Sequence, residues 1–272
     1  MIIDFIRFIV LGFIQGITEP IPVSSSGHLL IFQKLIGDIE AIDFGLLATI
    51  TNAGSLIAII ILFKDDILDL IRDFFGYIGS KNEKYLPNFK YSLCVIIATI
   101  PAGIMGLIVT KLGLFDFLEE NAKFVGFTLL ITAVFLFLIR NIKGKKEKND
   151  VTFKDALIVG LFQVIALVPG ISRSGATIVG GMTRNFTRKT AFKFSFILYI
   201  PISVATMILG IKDLIESSLS INLWISYIMS AVVAGIFTYI GTKWFKKIVE
   251  KGNLIYFVWY CLIVGTLVIL FL

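Results

Sequence analysis

The chain has 272 residues, 57% of them hydrophobic and 16% charged, with a net charge of +6. A mean hydropathy of +0.92 excludes a soluble domain of this size and defines an integral membrane protein with several spans. The basic residues sit between the apolar runs, where orientation signals belong, so no nucleic-acid partner is expected. Cys94 and Cys261 both fall in apolar runs, which argues against a structural disulfide and a thiolate metal site.

In chain order, the first apolar stretch, 4–34, is broken at its centre. Its run at 8–17 follows Arg7 and Asp4 and leads into Thr18-Glu19-Pro20, not into a small-residue cleavage site. The segment is therefore expected to be retained. Residues 15–28 read Q-G-I-T-E-P-I-P-V-S-S-S-G-H and include the only histidine, His28. A polar cluster inside an apolar segment is expensive in a membrane and marks a functional site. Six further runs approach the length that crosses roughly 30 Å of hydrocarbon. They lie at about 44–63, 91–110, 124–139, 194–211, 219–242 and 252–272. Between the first two, Ile67, Leu68, Ile71, Phe74, Phe75 and Ile78 share one helical face. This predicts an amphipathic helix over 66–78 lying on the membrane surface. Between the third and fourth, 155–184 is broken in the manner of 4–34.

Charge fixes the path of these broken stretches. Arg140, Lys143, Lys145, Lys146, Lys148 and Lys154 cluster ahead of the core of the second, and Arg184, Arg188, Lys189 and Lys193 close it. Both flanks belong on the cytoplasmic side. A stretch that returns to the side it left is re-entrant. With both broken stretches re-entrant, the loops 64–90 and 243–251 fall inside. The loops near 38–43, 111–123 and 212–218 fall outside, with both termini.

The two broken stretches repeat each other. A shift of 148 puts Gly12 on Gly160, Gln15 on Gln163, Ser24 on Ser172, Ser26 on Ser174 and Gly27 on Gly175. At that shift Ser55 also meets Ser203, and at a shift of 132 Ala102-Gly103-Ile104 meets Ala234-Gly235-Ile236. Each half is then a re-entrant hairpin followed by three spans. Three is odd, so the second half is inverted. The expected fold is an all-α polytopic membrane protein, with six transmembrane helices plus two re-entrant helical hairpins in an inverted-topology repeat. It forms one integral membrane domain, 1–272. The first repeat covers 1–140 with its hairpin at 4–34, and the second covers 151–272 with its hairpin at 155–184.

The chemistry follows from the breaks. Pro20 and Pro22 stop one helix, and Ser24 or Ser25 can cap the half-helix that follows. Pro169-Gly170 and Ser172 repeat the device. Membrane serines commonly bond back to their own helix, but four beside helix breakers are less ordinary. A half-helix N-terminus suits an anion, best a phosphate. Arg173 adds a planar fork for bidentate recognition. Two such termini and one arginine fit a doubly charged group such as a diphosphate. Ser25 and His28 share a face at a spacing of three, so the imidazole can serve the hydroxyl as base, attack phosphorus itself or activate water. Gln15 and Glu19 share a face at a spacing of four, and Glu19 is a candidate ligand for Mg²⁺ or Ca²⁺.

Q-x-x-x-E with P-V-S-S-S-G-H, followed by P-G-I-S-R-S-G-A-T, closely resembles the undecaprenyl-diphosphatase family, the bacitracin-resistance phosphatases. The resemblance covers essentially the whole chain. It implies removal of the terminal phosphate of a polyprenyl diphosphate lipid, which recycles the carrier for cell-wall polysaccharides. It also implies a plasma-membrane enzyme with its site opening to the outer face, and a divalent cation. The implied catalytic residues are Glu19, Ser25, His28 and Arg173. Ser24, Ser26, Gly27, Gly170, Ser172, Ser174 and Thr177 would surround the substrate. Gln15, a neutral amide where many members carry Glu, would join Glu19 at the metal. A homodimer is left open. The rival class is a transporter or flippase of an anionic lipid, which needs the arginine but not a hydroxyl beside a base.

Overall fold

The computed structural model describes residues 2–36, 42–114, 121–216 and 219–272. Among them are eleven α-helices and no strand. α1 (Ile2–Thr18) and α2 (Ser25–Ile36) form a first hairpin. α3 (Phe44–Leu62), α4 (Lys64–Ser80), α5 (Leu86–Leu112) and α6 (Ala122–Ile139) follow. α7 (Phe153–Ile165) and α8 (Arg173–Thr183) form a second hairpin. α9 (Arg188–Glu216), α10 (Ile221–Lys251) and α11 (Ile255–Phe271) complete the chain. α3, α5, α6, α9 and α10 are long and apolar enough to cross a membrane, and α11 is a shorter apolar helix. Their outward faces carry large apolar side chains such as Ile57, Leu138, Ile208 and Trp259. Such a surface requires lipid.

Local chemistry sets the helix ends. The Asp43 carboxylate accepts from the Leu46 N–H at 2.9 Å and starts α3. Thr152 and Asp155 form a capping box at the start of α7. Gly113 and Gly252 end α5 and α10 in the left-handed conformation. Two boundaries differ from expectation. α5 begins at Leu86, because Pro87 is favourable in a first turn. The basic segment 243–251, expected as a loop, forms the last turns of α10, since exposed lysines are good helix formers. The loops expected near 38–43, 111–123 and 212–218 fall in part outside the described residues. The amphipathic segment lies within α4, which leaves Leu68, Ile71, Phe75 and Ile78 exposed on its apolar face.

The packing crosses between the halves. α1 lies on α10 and α7 on α5. Gly12 sits against the Ser230 backbone with no room for a Cβ, and Gly160 sits the same way against Ala98. Gly12 and Gly160 are 148 apart, and Ala98 and Ser230 are 132 apart, so these contacts are equivalents of one another. α6 and α11 run together where Gly126 meets Gly265. At the basic end, buried Asp155 accepts from Lys146 Nζ at 2.7 Å, Arg184 Nε at 2.9 Å and the Thr152 hydroxyl at 2.8 Å. Burial alone would push its carboxyl up, but these hydrogen bonds outweigh burial and hold its pKa at about 2.

Candidate active site

The two hairpin turns pack against each other. In the first, Pro20 and Pro22 follow the end of α1, and Ser24 takes a left-handed φ of 68°. Ser24 is the residue that caps α2: its hydroxyl accepts from the Gly27 N–H at 3.3 Å. In the second, Gly170 takes a φ of 87°, and a Cβ there would collide with the Thr128 hydroxyl. The Ser172 hydroxyl caps α8 by accepting from the Gly175 N–H at 3.1 Å. The paired hydroxyls match as well, with Ser24 to Ser26 at 3.4 Å and Ser172 to Ser174 at 3.2 Å. Between the turns, Ser174 donates to the Ile21 carbonyl at 3.2 Å. Gly27 packs on Gly170, and Gly175 on Pro22, at distances that leave a side chain little space.

Ser25 and Arg173 are the first residues of α2 and α8, and both point at Glu19. The Ser25 hydroxyl donates to Glu19 Oε2 at 2.5 Å. Arg173 Nη2 donates to Glu19 Oε1 at 2.5 Å. Gln15 Nε2 donates to Glu19 Oε2 at 2.9 Å. These residues line a cavity of about 280 Å³, with Ser26, Asn52, Tyr199 and Ser203 also on its wall. Tyr199 and Asn52 were not singled out from sequence. The Arg173 guanidinium lies 3.9 Å from the centre of the Tyr199 ring, and the Tyr199 hydroxyl donates to Asn52 Oδ1 at 2.7 Å. An amide alone in an apolar span was the available signal for Asn52. An aromatic there carries none. A second cavity of about 350 Å³ adjoins the first at Ser26, Leu29 and Ala48.

Other expected site residues are placed differently. His28 is 3% exposed and does not line the cavity. Its Nδ1 lies 2.8 Å from the Ser24 carbonyl and its Nε2 lies 2.7 Å from the Tyr260 hydroxyl. In this geometry both ring nitrogens are engaged away from Ser25. A helical side chain points back toward its own N-terminus, and at the start of α2 that direction holds the Ser24 carbonyl. Ser24, Gly27, Gly170, Ser172, Ser174 and Thr177 are likewise off the cavity wall. They build the turns instead, and Thr177 bonds to Ser195 at 2.6 Å. Of the seven residues expected around the substrate, Ser26 lines the cavity.

Nor do the donors suit a resident divalent cation. Among the described residues no three of His, Cys, Asp and Glu come together. Among the described residues Glu19 is the one carboxylate on the cavity wall, and both its oxygens already accept from Ser25, Arg173 and Gln15. Gln15 turns its N–H donor toward the carboxylate. Before substrate enters, a dication here would face the Arg173 guanidinium with one carboxylate to offset it, and any further negative charge would come from substrate phosphates.

Fold and site together define a multi-pass helical membrane protein whose two hairpin turns enclose a hydroxyl, a carboxylate and a guanidinium. The family described as bacitracin resistance protein BacA matches residues 8–267. Similar curated proteins include undecaprenyl-diphosphatase 2 of Bacillus thuringiensis, 44% identical over 98% of this chain and 97% of that protein. Undecaprenyl-diphosphatase 1 of Bacillus licheniformis is 44% identical over the same shares. The undecaprenyl-diphosphatase of Oceanobacillus iheyensis is 42% identical over 98% and 96%. The chain belongs to this bacitracin-resistance family.

Proposed function

We propose that this protein hydrolyses undecaprenyl diphosphate to the monophosphate and inorganic phosphate, recycling the lipid carrier of cell-wall synthesis and conferring bacitracin resistance. The observation that carries this reading is the convergence of Ser25 and Arg173 on Glu19 inside one cavity. A nucleophile within hydrogen-bond reach of a base, itself held by a third group, is the arrangement covalent catalysis needs.

The terminal phosphate enters beside Arg173, whose remaining N–H groups bind its oxygens. Ser25 Oγ forms a bond to phosphorus as its proton passes to Glu19. The bond from phosphorus to the bridging oxygen breaks, Glu19 passes the proton to that oxygen, and the prenyl monophosphate leaves. Water then attacks the phosphoserine as its proton passes to Glu19, the bond from phosphorus to Ser25 Oγ breaks, and Glu19 returns the proton to Ser25 Oγ as inorganic phosphate departs. Arg173 neutralises charge on the equatorial oxygens throughout, the main service a protein gives in phosphoryl transfer. The Tyr199 ring holds the guanidinium in place from the far side. The adjoining cavity, with Leu29, Leu30, Phe44 and Val125 on its wall, takes the first isoprene units.

The topology belongs to the same proposal. α2, α7 and α8 have 12, 13 and 11 residues. At about 1.5 Å per residue each falls short of a core of roughly 30 Å. That length supports two re-entrant hairpins, with α3, α5, α6, α9, α10 and α11 as six spans in an inverted repeat. The basic loop near 140–150 then lies in the cytoplasm and the cavity opens outward, in the plasma membrane. Release of inorganic phosphate from farnesyl diphosphate by purified protein tests the activity. No release, with transport of the intact lipid in proteoliposomes, would favour the flippase class.

A further inference from the structure

We infer that His28 and Tyr260 are a positioning pair for Ser25, in which the imidazole holds the Ser24 carbonyl and takes no proton from serine or water. This rests on the reading of Ser25 as the attacking group. The partners of the ring fix its state. A carbonyl oxygen only accepts, so Nδ1, 2.8 Å from it, carries the hydrogen. Nε2 of the neutral ring then accepts from the Tyr260 hydroxyl at 2.7 Å. A base or nucleophile needs a lone pair facing the reacting atoms. Nδ1 has none, and that of Nε2 is covered by Tyr260 outside the cavity wall.

What the pair holds is the peptide just before the nucleophile. Ser24 sits at a φ of 68°, a region unfavourable for any residue with a Cβ. Its carbonyl receives two donors, the His28 N–H at 3.1 Å and Nδ1. That carbonyl belongs to the Ser24–Ser25 peptide, whose plane sets the direction of the Ser25 side chain toward Glu19. Next to Tyr260, Cys261 Sγ donates to the Pro22 carbonyl at 3.7 Å, so α11 holds the first turn directly at Pro22 and, through His28, at the Ser24 carbonyl.

The repeat supplies independent support. Tyr260 stands 132 positions after Thr128. The Thr128 hydroxyl donates to the Pro169 carbonyl of the second turn at 2.8 Å. The last helix of each half thus braces the hairpin turn of the other half from an equivalent position. At the first turn the distance is bridged by the imidazole.

The test compares His28→Asn, His28→Ala and Tyr260→Phe in phosphate release from a saturating prenyl diphosphate, with thermal unfolding of each variant. Asparagine keeps a donor near the place of Nδ1 but cannot attack or take a proton. His28→Asn is expected within about tenfold of the parent kcat, and His28→Ala at least about a hundredfold below it, with KM little changed in either. Tyr260→Phe is expected to lower kcat about tenfold at unchanged KM. His28→Asn no more active than His28→Ala, both folded, would make the imidazole a chemical participant and overturn the inference. If His28→Asn does not fold, Tyr260→Phe decides, and full activity there overturns it. Ser25→Ala at the parent rate would instead remove the underlying reading of Ser25.

Discussion

Ser25 and Arg173 stand 148 positions apart at the same place in the two halves, and they meet on opposite oxygens of the Glu19 carboxylate. One half contributes the hydroxyl and the carboxylate, and the other contributes the guanidinium. Neither half can make the site alone. The glycines at the meeting turns, Gly27 and Gly175, are small because the opposite turn lies against them.

Arg173→Lys is expected to be far from conservative. Lysine keeps the charge but loses the fork and the stacking on Tyr199. A loss of about 2–4 kcal/mol of transition-state stabilisation is expected, read as kcat/KM for phosphate release. A variant within a few-fold of the parent would show that Arg173 does not clamp phosphate.

Gln15→Glu should create a divalent-cation site where the parent has a poor one. The second carboxylate would lie one turn before Glu19 and supply the missing negative charge. Isothermal titration of substrate-free protein with Mg²⁺ or Ca²⁺ should show tighter binding in the variant. Equal titrations would remove Gln15 from any metal site.

Much of this site was legible because helix breaking is local chemistry. Pro20, Pro22 and Pro169-Gly170 end helices wherever they stand, and Ser172 caps whatever helix follows. The apolar spans and the amphipathic α4 were legible from periodicity for the same reason. The partners that join distant helices were not. Tyr199 and Tyr260 reach the site from α9 and α11, and nothing in their neighbouring residues announces it. The i, i+3 spacing of Ser25 and His28 does not show which way the imidazole turns, and in α2 its nitrogens meet the Ser24 carbonyl and the Tyr260 hydroxyl. The charges of 243–251 do not mark the end of α10, because a helix need not stop where the lipid does.

Gly170→Ala should destabilise the second turn. The position has a φ of 87° and no room beside Thr128. About 1–3 kcal/mol of stability is expected to be lost, with Arg173 displaced along with the turn. Thermal unfolding in detergent measures the first effect and kcat the second. An unchanged unfolding temperature would mean that the turn is not fixed by Gly170.

Asp155→Asn should loosen the basic end, where Lys146 and Arg184 would lose their partner. Both cations are partly solvated, so a loss on the order of 2 kcal/mol is expected, below that of a fully buried pair. The pH dependence has a definite sign. The folded pKa of about 2 lies below the roughly 3.9 of an unfolded aspartate. The stabilisation is therefore complete above about pH 4 and disappears as pH falls toward about 2. Unfolding temperatures across that window should fall more steeply in the parent than in the variant. Parallel curves would rule out Asp155 as the group responsible.

The most direct measurement is a rapid quench of the parent protein with a prenyl diphosphate labelled in its terminal phosphate. Attack by Ser25 leaves an acid-stable phosphoserine at that position, formed before inorganic phosphate appears and absent in Ser25→Ala. That adduct is the expected result. An acid-labile adduct on His28, or turnover with no adduct in a quench able to trap one, would contradict Ser25 as the attacking group.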